Sequence, residues 1–509
     1  MFSFLAVASK KPTAVSIEDL AIVPTNAQSI VETYKNFNTL SILSLAVSLM
    51  ATWEGLLSTF GQGLNAAGPV SLVYGFIVAF IGSTATAASL SEPASRYPTA
   101  GGQYHFMAML SSDKHRPWLS WYAGWLTILG WLALTASAPF AGGTLIQGLV
   151  TLNYPDYVPE RWHGTLLYLA ILAIAFALNL WGSKLLPLIE NVIMALHILF
   201  FFAILIAVAV LPRQRNSASF VFTNFQNNTG WESDGIAWCI GLLTSAYITV
   251  GYDSATHMCE EMKNPTMGVP RAMIGSLLIN CTMGFAVLIA VLFGIGDINE
   301  ALASPTGFPI ITVFTEMTRG NTSASSAMVC TIIISASLAT VGLIASTSRS
   351  LWAFARDDAP PFSSWLAKLD KKRHTPSNAV ICCSVFLALL GLLNIASTTA
   401  FTAILSLTVV SLSLSYVLPI IAMLYRRIAN VEKISFGPWR MSPVLGTVLN
   451  IVAISYNIFL CIFLLLPPIQ PVTAQNMNYA SAVLGGVLVF ITVDWLIRGR
   501  KVYSGPQYL

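Results

Sequence analysis

The sequence has little charge. Asp, Glu, Lys and Arg make up 9% of its 509 residues, against roughly 25% in soluble domains. Apolar residues account for 55% of the chain, and the mean hydropathy is +0.70. This composition excludes an ordinary soluble fold and predicts an all-α protein that crosses a membrane many times.

Residues that mark other classes of protein are also scarce. The 7 cysteines all lie in or beside apolar segments, and the 6 histidines form no metal-binding cluster. The sequence contains no Gly-x-Ser-x-Gly motif, no phosphate-binding loop and no block of basic residues. These absences argue against an enzyme, a metal or other cofactor, a disulfide framework and a nucleic-acid partner.

Long apolar segments dominate the chain instead. Crossing a bilayer takes about 20 helical residues, and twelve segments are long enough: 39–68, 71–96, 118–150, 164–182, 186–211, 236–259, 271–295, 325–352, 378–397, 401–425, 444–467 and 478–497. The predicted organisation is an N-terminal tail (1–38), spans one to five (39–211), an outer loop (212–235), spans six to ten (236–427), spans eleven and twelve (428–498) and a C-terminal tail (499–509).

Basic residues are sorted between alternate loops. With both termini in the cytoplasm, 22 of the 26 Lys and Arg residues fall on the inner side, as the positive-inside rule requires. The sequons at Asn227 and Asn321 fall in the two longest outer loops, which predicts glycosylation there. We expect a plasma-membrane location, while a vacuolar one stays open because neither tail carries a recognisable address.

Polar and helix-weakening residues interrupt the first span. Thr52, Trp53, Glu54 and Gly55 lie near its centre. A carboxylate at that depth is costly unless a partner or water receives it, and a break there exposes backbone groups that only protein or an aqueous cavity can accept. The pattern indicates the substrate site of a secondary transporter. A glycine kink with Glu54 paired to a neighbouring helix is the structural alternative.

The sixth span carries a second interruption, at Gly251, Tyr252, Asp253 and Ser254. Spans one and six are equivalent positions in a five-plus-five inverted repeat. We therefore predict that the two breaks face a common cavity. The alternative for Asp253 is a structural ion pair or a helix N-cap.

Four stretches resemble the amino acid–polyamine–organocation transporter superfamily, and within it the fungal branch of choline, GABA and amino-acid permeases. They are Trp53–Gly55, Ser89–Tyr104, Gly251–Glu261 and Ser348–Asp357. The resemblance extends over about residues 38–500. It implies the leucine-transporter fold with twelve helices, in which substrate lies between the broken spans one and six and is flanked by spans three and eight.

The resemblance also supplies candidate substrate-binding residues. Helix N-termini at the breaks suit a substrate carboxylate, whereas acids and aromatic faces suit an amine. The candidates are Thr52, Trp53, Glu54, Gly55, Trp125, Tyr247, Gly251, Tyr252 and Asp253. None of the 26 basic residues lies in the middle of a span, which favours a cationic or zwitterionic substrate.

His197 and Glu54 are the candidate proton-coupling residues. When Glu190 and Asn191 are aligned with the polar residues that open span five in relatives, His197 falls near the buried lysine of proton-coupled members. Histidine titrates near physiological pH. A bond from His197 to a backbone carbonyl is an equally open interpretation.

A glycine-containing loop, Pro98–Tyr104, follows span two on the predicted inner side. We predict an inner gate there, in which residues before the loop pair with the inner end of span eight; a static clamp between helix ends is the alternative. The gate residues are Glu92, Arg96, Arg349 and Asp357. Glu260 and Glu261 are expected to pair with inner-face bases rather than to bind substrate.

These features predict a permease that imports a small amine-bearing solute by proton symport with alternating access. Choline, GABA, a polyamine and an amino acid are the substrates considered. The alternative is a membrane nutrient sensor of the same fold that binds its ligand without moving it. The 38-residue N-terminal tail is short for a signalling domain, which favours the permease.

Overall fold

The computed structural model describes residues 35–396, 399–429 and 435–507, and within these ranges the chain is helical, with no β-strand. The predicted all-α class is confirmed. Predictions that concern residues 1–34, and the inner-side assignment of Lys10, Lys11 and Lys433, lie outside the described residues.

The first 58 residues of the bundle, Thr39–Arg96, fold back on themselves. Helix α1 (Thr39–Met50) and helix α2 (Thr52–Arg96) follow each other directly, and α2 is bent where Ala67 and Gly68 leave the helical region. The two ends of this stretch lie beside one loop, because Phe37 N donates to Glu261 O (2.9 Å) and Ala100 N donates to a Glu260 carboxylate oxygen (3.1 Å). The bend lies against residues 224–228 instead. The stretch is therefore a hairpin with two arms.

The remaining helices follow in chain order. They are α3 (Gln103–Leu110), α4 (Arg116–Asn153), α5 (Arg161–Trp181), α6 (Leu186–Val210), α7 (Ala218–Thr223), α8 (Asp234–Tyr247), α9 (Ser254–His257), α10 (Pro265–Gly294), α11 (Ile298–Leu302), α12 (Pro309–Met317), α13 (Thr322–Arg356), α14 (Ser363–Leu366), α15 (Ser377–Gly391), α16 (Leu393–Ala396), α17 (Ala400–Ala429), α18 (Pro443–Phe463), α19 (Ala480–Asp494) and α20 (Arg500–Val502). A π-helical turn, Trp495–Gly499, joins the last two.

Ten helices in the described residues are long and apolar enough to span a membrane. One of them is the hairpin of α1 and α2, and the interrupted segment of α8 and α9 is not among the ten. Counting both hairpin arms and the interrupted segment would account for twelve crossings, and that number stays a prediction. The apolar windows of α4 and α17 are each 83% buried, against 17% for the last span. Hence α4 and α17 lie at the centre of the bundle.

The two ends of the described chain lie on the same face of the bundle. Phe37 bonds to the chain around Glu261, and Gln507 N donates to Asp357 (2.9 Å) at the end of α13. Glu260, beside Glu261, forms an ion pair with Arg356 (2.5 Å), which joins the two regions. We call this face the inner face, because it is the one that the basic residues assign to the cytoplasm; the assignment itself remains a prediction.

Candidate substrate site

The first span breaks at Ala51. This residue separates α1 from α2 and adopts the left-handed conformation (φ 42°, ψ 48°). The break predicted at Thr52–Gly55 in fact lies one residue earlier, since these four residues form the first turn of α2 and Gly55 N donates to Ala51 O (2.7 Å). Gly55 has a packing role: a Cβ atom there would lie 3.2 Å from Ile248 Cγ2. The glycine lets α2 approach the sixth span closely.

The sixth span is open over six residues. Helix α8 ends at Tyr247 and α9 begins at Ser254, with Gly251 at φ 98°, a conformation that glycine adopts without strain. The Thr52 hydroxyl donates to the backbone oxygen of Ile248 (2.8 Å), one of the groups that the interruption frees. The two broken segments are thus in direct contact, and the Thr52 hydroxyl satisfies a backbone carbonyl that would otherwise lack a partner within the membrane.

A small cavity lies at the junction of the two breaks. Its volume is about 30 Å³, enough for one or two waters. Fifteen residues line it: Leu49, Met50, Ala51, Glu54, Gly55, Ser58, Leu134, Ala138, Ala141, Tyr247, Val250, Ile332, Ala336, Ala339 and Leu343. They come from α1, α2, α4, α8, the interruption and α13. A solute larger than water enters only if these segments separate.

Glu54 is the acidic group of the cavity wall. Its Oε1 atom lies 2.7 Å from Nδ1 of His197 on α6, and each side chain is 2% exposed. The second carboxylate oxygen and His197 Nε2 have no hydrogen-bond partner among the described residues. The two candidate proton-coupling residues are therefore in contact. The structural alternative, in which Glu54 pairs with a neighbouring helix, is also correct. The same carboxylate pairs with His197 of α6 and faces the cavity.

The aromatic candidates Tyr247, Trp53 and Trp125 differ in their position relative to the cavity. Tyr247 lines the cavity, and its hydroxyl is hydrogen-bonded to Ser137 (2.7 Å). Trp53 lies behind Glu54, with its ring centre 6.0 Å from that of His197. Trp125 is elsewhere, packed against Phe354 and Phe490. Tyr247 is thus the aromatic candidate that lies on the cavity wall.

Tyr252 and Asp253 lie outside the cavity wall. Tyr252 packs against Tyr416 with ring centres 5.6 Å apart. Asp253 accepts hydrogen bonds from Gln103 (2.6 Å), Trp131 (3.0 Å) and Tyr416 (2.8 Å) and is 1% exposed. The sequence did not point to these three donors. The one available signal was that Gln103 lies within the resemblance motif that ends at Tyr104.

The inner face carries the ion pairs expected of Glu260 and Glu261. Glu260 binds Arg356 through both carboxylate oxygens (2.9 and 2.5 Å), and Glu261 binds Arg349 Nε (2.9 Å). That expectation is confirmed. The pairing predicted for Glu92 was wrong: its carboxylate bonds to Arg427 of α17 and accepts from Met441 N (2.9 Å).

Arg96 and Asp357, predicted to pair, lie together on the wall of a cavity of about 400 Å³ at the inner face. The Arg96 guanidinium lies 5.7 Å from the Tyr97 ring centre. Asp357 accepts hydrogen bonds from the Tyr104 hydroxyl (2.7 Å) and from Gln507 N (2.9 Å). The pairings of the predicted gate residues differ from the prediction because α17 and the C-terminal segment also reach this face. Their role as an inner gate stays a prediction.

Burial raises the pKa of Asp357 from 3.8 to about 6, although the bonds from Gln507 and Tyr104 and the charge of Arg356 oppose the shift. A raised folded-state pKa favours the folded protein fully below the ordinary pKa, and this advantage is lost as the pH rises through 6. We expect the melting temperature of wild-type protein to fall relative to that of Asp357→Asn between pH 4 and 6, measured in detergent.

The neighbouring Asp358→Asn variant is the control. Asp358 is exposed and has φ 60°, a conformation that asparagine also tolerates. Its melting curve should follow that of the wild type at every pH. An Asp357→Asn variant with the pH dependence of the wild type would contradict the assignment.

The predicted glycosylation sites differ in accessibility. Asn321 is exposed and caps the N-terminus of α13, where its side-chain oxygen accepts from Ala324 N (3.0 Å). Asn227 is half-buried: its amide donates to Trp231 O (2.9 Å), and Thr229 of the same sequon is 1% exposed. Modification of either residue stays a prediction, and Asn321 has the more open geometry.

An all-helical bundle with two interrupted spans that meet at a buried carboxylate defines a membrane transporter rather than an enzyme. The model of the amino acid permease family matches residues 37–489, and the chain belongs to this family. It is 31% identical over 474 residues to a choline transporter of Saccharomyces cerevisiae, covering 93% of this chain and 83% of the relative. It is 32% identical over 476 residues to amino-acid permease 2 of Neurospora crassa, covering 93% and 86%.

A plant relative shows that the likeness is not confined to fungi. Amino-acid permease BAT1 of Arabidopsis thaliana is 28% identical over 495 residues, which cover 93% of this chain and 94% of the relative. The resemblance read from the four sequence motifs is confirmed. The names of the relatives cover both amino acids and choline, so the family alone leaves several substrates open.

Proposed function

We propose that this protein imports a small cationic or zwitterionic amine, either an amino acid or a choline-like organocation, across the plasma membrane by proton symport. The observation that carries the proposal is the Glu54–His197 pair on the wall of a cavity between two broken helices. None of the residues lining that cavity is Lys or Arg. A substrate whose only charge is negative would find no counter-ion there.

The site offers complementary charges to a zwitterion. The first N–H groups of α2, after Ala51, have no intrahelical acceptor and lie at the positive end of the first arm of α2, which runs from Thr52 to the bend at Ala67. These groups suit a carboxylate. Glu54 and the C-terminal carbonyls of α1 suit the amine, and Tyr247 adds an aromatic face. A choline-like cation would use only the second set.

The Glu54–His197 pair supports proton coupling. A proton taken up by the pair changes the charge beside the cavity. Glu54 Oε2 and His197 Nε2, which have no hydrogen-bond partner among the described residues, are further positions that a proton can occupy. Substrate amine and proton then compete for, or cooperate through, one carboxylate. Alternating access would expose this carboxylate first to the outer and then to the inner solution.

Uptake in cells that carry the protein tests the proposal. We expect uptake of radiolabelled choline or a neutral amino acid to exceed that of control cells at least tenfold and to rise as the outer pH is lowered from 7 to 5, because proton symport gains driving force as the outer proton concentration increases. A competition panel of choline, GABA, polyamines, and neutral and acidic amino acids identifies the substrate. Acidic amino acids should compete least. No uptake of any of these at acidic outer pH would overturn the proposal.

A further inference from the structure

Asp253 is the centre of a buried polar network. Its carboxylate accepts from Gln103, from Trp131 of α4 and from Tyr416 of α17, at 2.6 to 3.0 Å, and His257 Nε2 lies 3.5 Å away. With these donors around it, Asp253 has little capacity left for a solute, and it is not part of the cavity wall. The residue therefore holds the inner end of the interruption in place.

The predicted Pro98–Tyr104 loop ends in the first turn of α3, because Gln103 and Tyr104 are helical; we keep the name loop for this segment. It is attached to the sixth span at three points. The amide of Gln103 reaches Asp253, the backbone oxygen of Ala100 lies 2.9 Å from His257 Nδ1, and the backbone nitrogen of Ala100 donates to Glu260 (3.1 Å). Asp253, His257 and Glu260 are spread along the short segment that runs from the interruption to the inner face. Contacts at these three positions couple the loop to this segment, so we expect the two to move as one unit.

The same loop is also attached to the eighth span. Tyr104, next to Gln103, donates its hydroxyl to Asp357 (2.7 Å), and Glu260 continues to Arg356 at the end of α13. A movement that opens the inner face has to separate the loop from one of its two neighbours. Of the loop's attachments, the Gln103–Asp253 bond lies nearest to the interruption, and Gln103 is 1% exposed.

We propose that Gln103 is a positioning residue of transport, acting through Asp253 to keep the interrupted sixth span closed toward the inner face, and that Asp253 itself does not touch substrate. The inference rests on the proposed transport function, and it concerns residues outside the cavity. Loss of the Gln103 amide leaves the Oδ2 atom of Asp253 with Trp131 as its hydrogen-bond donor and with His257 Nε2 at 3.5 Å. The closed arrangement is weakened, while the cavity wall keeps every one of its residues.

A native cysteine reports on this closure without any transported solute. Cys259 follows α9, is 0% exposed and adjoins Glu260, to which the loop is bonded. Opening of the inner face should therefore expose its thiol. Cys281, in the middle of α10 and 1% exposed, lies outside the loop attachments and is a matched internal control. Alkylation of both by N-ethylmaleimide in membranes can be followed by mass spectrometry.

We expect Gln103→Leu to speed alkylation of Cys259 about tenfold, the effect of losing one hydrogen bond to a charged group, and to leave Cys281 within twofold. Asp253→Asn should do the same, and the double variant should exceed neither single variant by more than twofold, because the two residues act through one bond. Cys259 alkylation in Gln103→Leu within twofold of wild type would overturn the proposal. Faster alkylation of both cysteines would overturn it too, since Gln103 would then support the fold as a whole.

Uptake measurements separate this proposal from the transport function. For choline or whichever panel amine the wild type takes up, Gln103→Leu should lower Vmax several-fold and leave KM within twofold, and Asp253→Asn should match it. A tenfold rise in KM confined to Asp253→Asn would identify Asp253 as a ligand and overturn the proposal. Glu54→Gln should impair uptake with Cys259 alkylation unchanged. A wild type without uptake contradicts the transport function, while the alkylation result still decides the role of Gln103.

Discussion

We expect Glu54→Gln to lower proton-dependent uptake about a hundredfold with little loss of protein at the cell surface. Glutamine has the shape of glutamate and still hydrogen-bonds to His197, so the fold is retained. The negative charge on the cavity wall is lost, and with it the attraction for an amine and the site for a proton. A hydrogen bond to a charged group is worth about 1.5–3 kcal/mol, which corresponds to roughly a 10- to 100-fold change. Uptake per surface-labelled molecule is the measurement.

The partner and an exposed glutamate supply the controls. His197→Gln should lower uptake to a similar extent, and the double variant should be little worse than either single variant, because residues that act as a pair are not additive. Glu232 is exposed and lies in the predicted outer loop before α8, so Glu232→Gln should transport as the wild type does. A Glu54→Gln variant with wild-type uptake at every outer pH would remove Glu54 from the site and refute the coupling role of the pair.

Much of the fold was predictable because a membrane imposes a one-dimensional rule. An apolar run of sufficient length becomes a span, and a polar residue with glycine in its middle marks a break. The break in span six was placed correctly at Gly251 for this reason. The break in span one was misplaced because glycine in a helix costs only about 1 kcal/mol, which packing of Gly55 against Ile248 outweighs.

The pairing of polar residues was the part that the sequence could not supply. Glu54 and His197 were each selected for their own chemistry, and only the bundle brings them to 2.7 Å. Asp253 was predicted to be a ligand because it is an acid beside a break. Such an acid either binds a solute or stabilises the interrupted backbone, and the sequence alone does not distinguish the two. The donors to this carboxylate, on Gln103, Trp131 and Tyr416, favour the second role, and they lie up to 163 positions away in the chain.

Glu92 illustrates the same limit at the inner face. Its ionic partner was sought on span eight, whereas Arg427 lies 335 positions away on α17. The described segment before α18 packs on the end of α2, where Met441 N donates to Glu92 (2.9 Å) and Trp439 N donates to the Ser95 hydroxyl oxygen (3.0 Å). Hydropathy orders the spans along the chain, but the neighbours of a helix end depend on how the bundle is assembled.

This buried ion pair leads to the second large expected effect, on folding rather than on transport. The side chains of Glu92 and Arg427 are 0% and 6% exposed. Arg427→Ala leaves the carboxylate with Met441 N as its remaining donor, and removing one partner of a buried pair costs about 3–5 kcal/mol. We expect this variant to give little folded protein, measured as the monodisperse fraction in fluorescence-detected size-exclusion chromatography after heating.

The matched variants separate the buried charge from the lost arginine. Arg427→Ala combined with Glu92→Gln should recover most of the folded protein, because glutamine is neutral and its oxygen still accepts from Met441 N. Arg440→Ala, exposed in the same inner loop, should stay within about 0.5 kcal/mol of wild type. If the double variant is as unstable as Arg427→Ala alone, the arginine stabilises this face through its packing on Phe436, and the pair with Glu92 is not what anchors the end of α2.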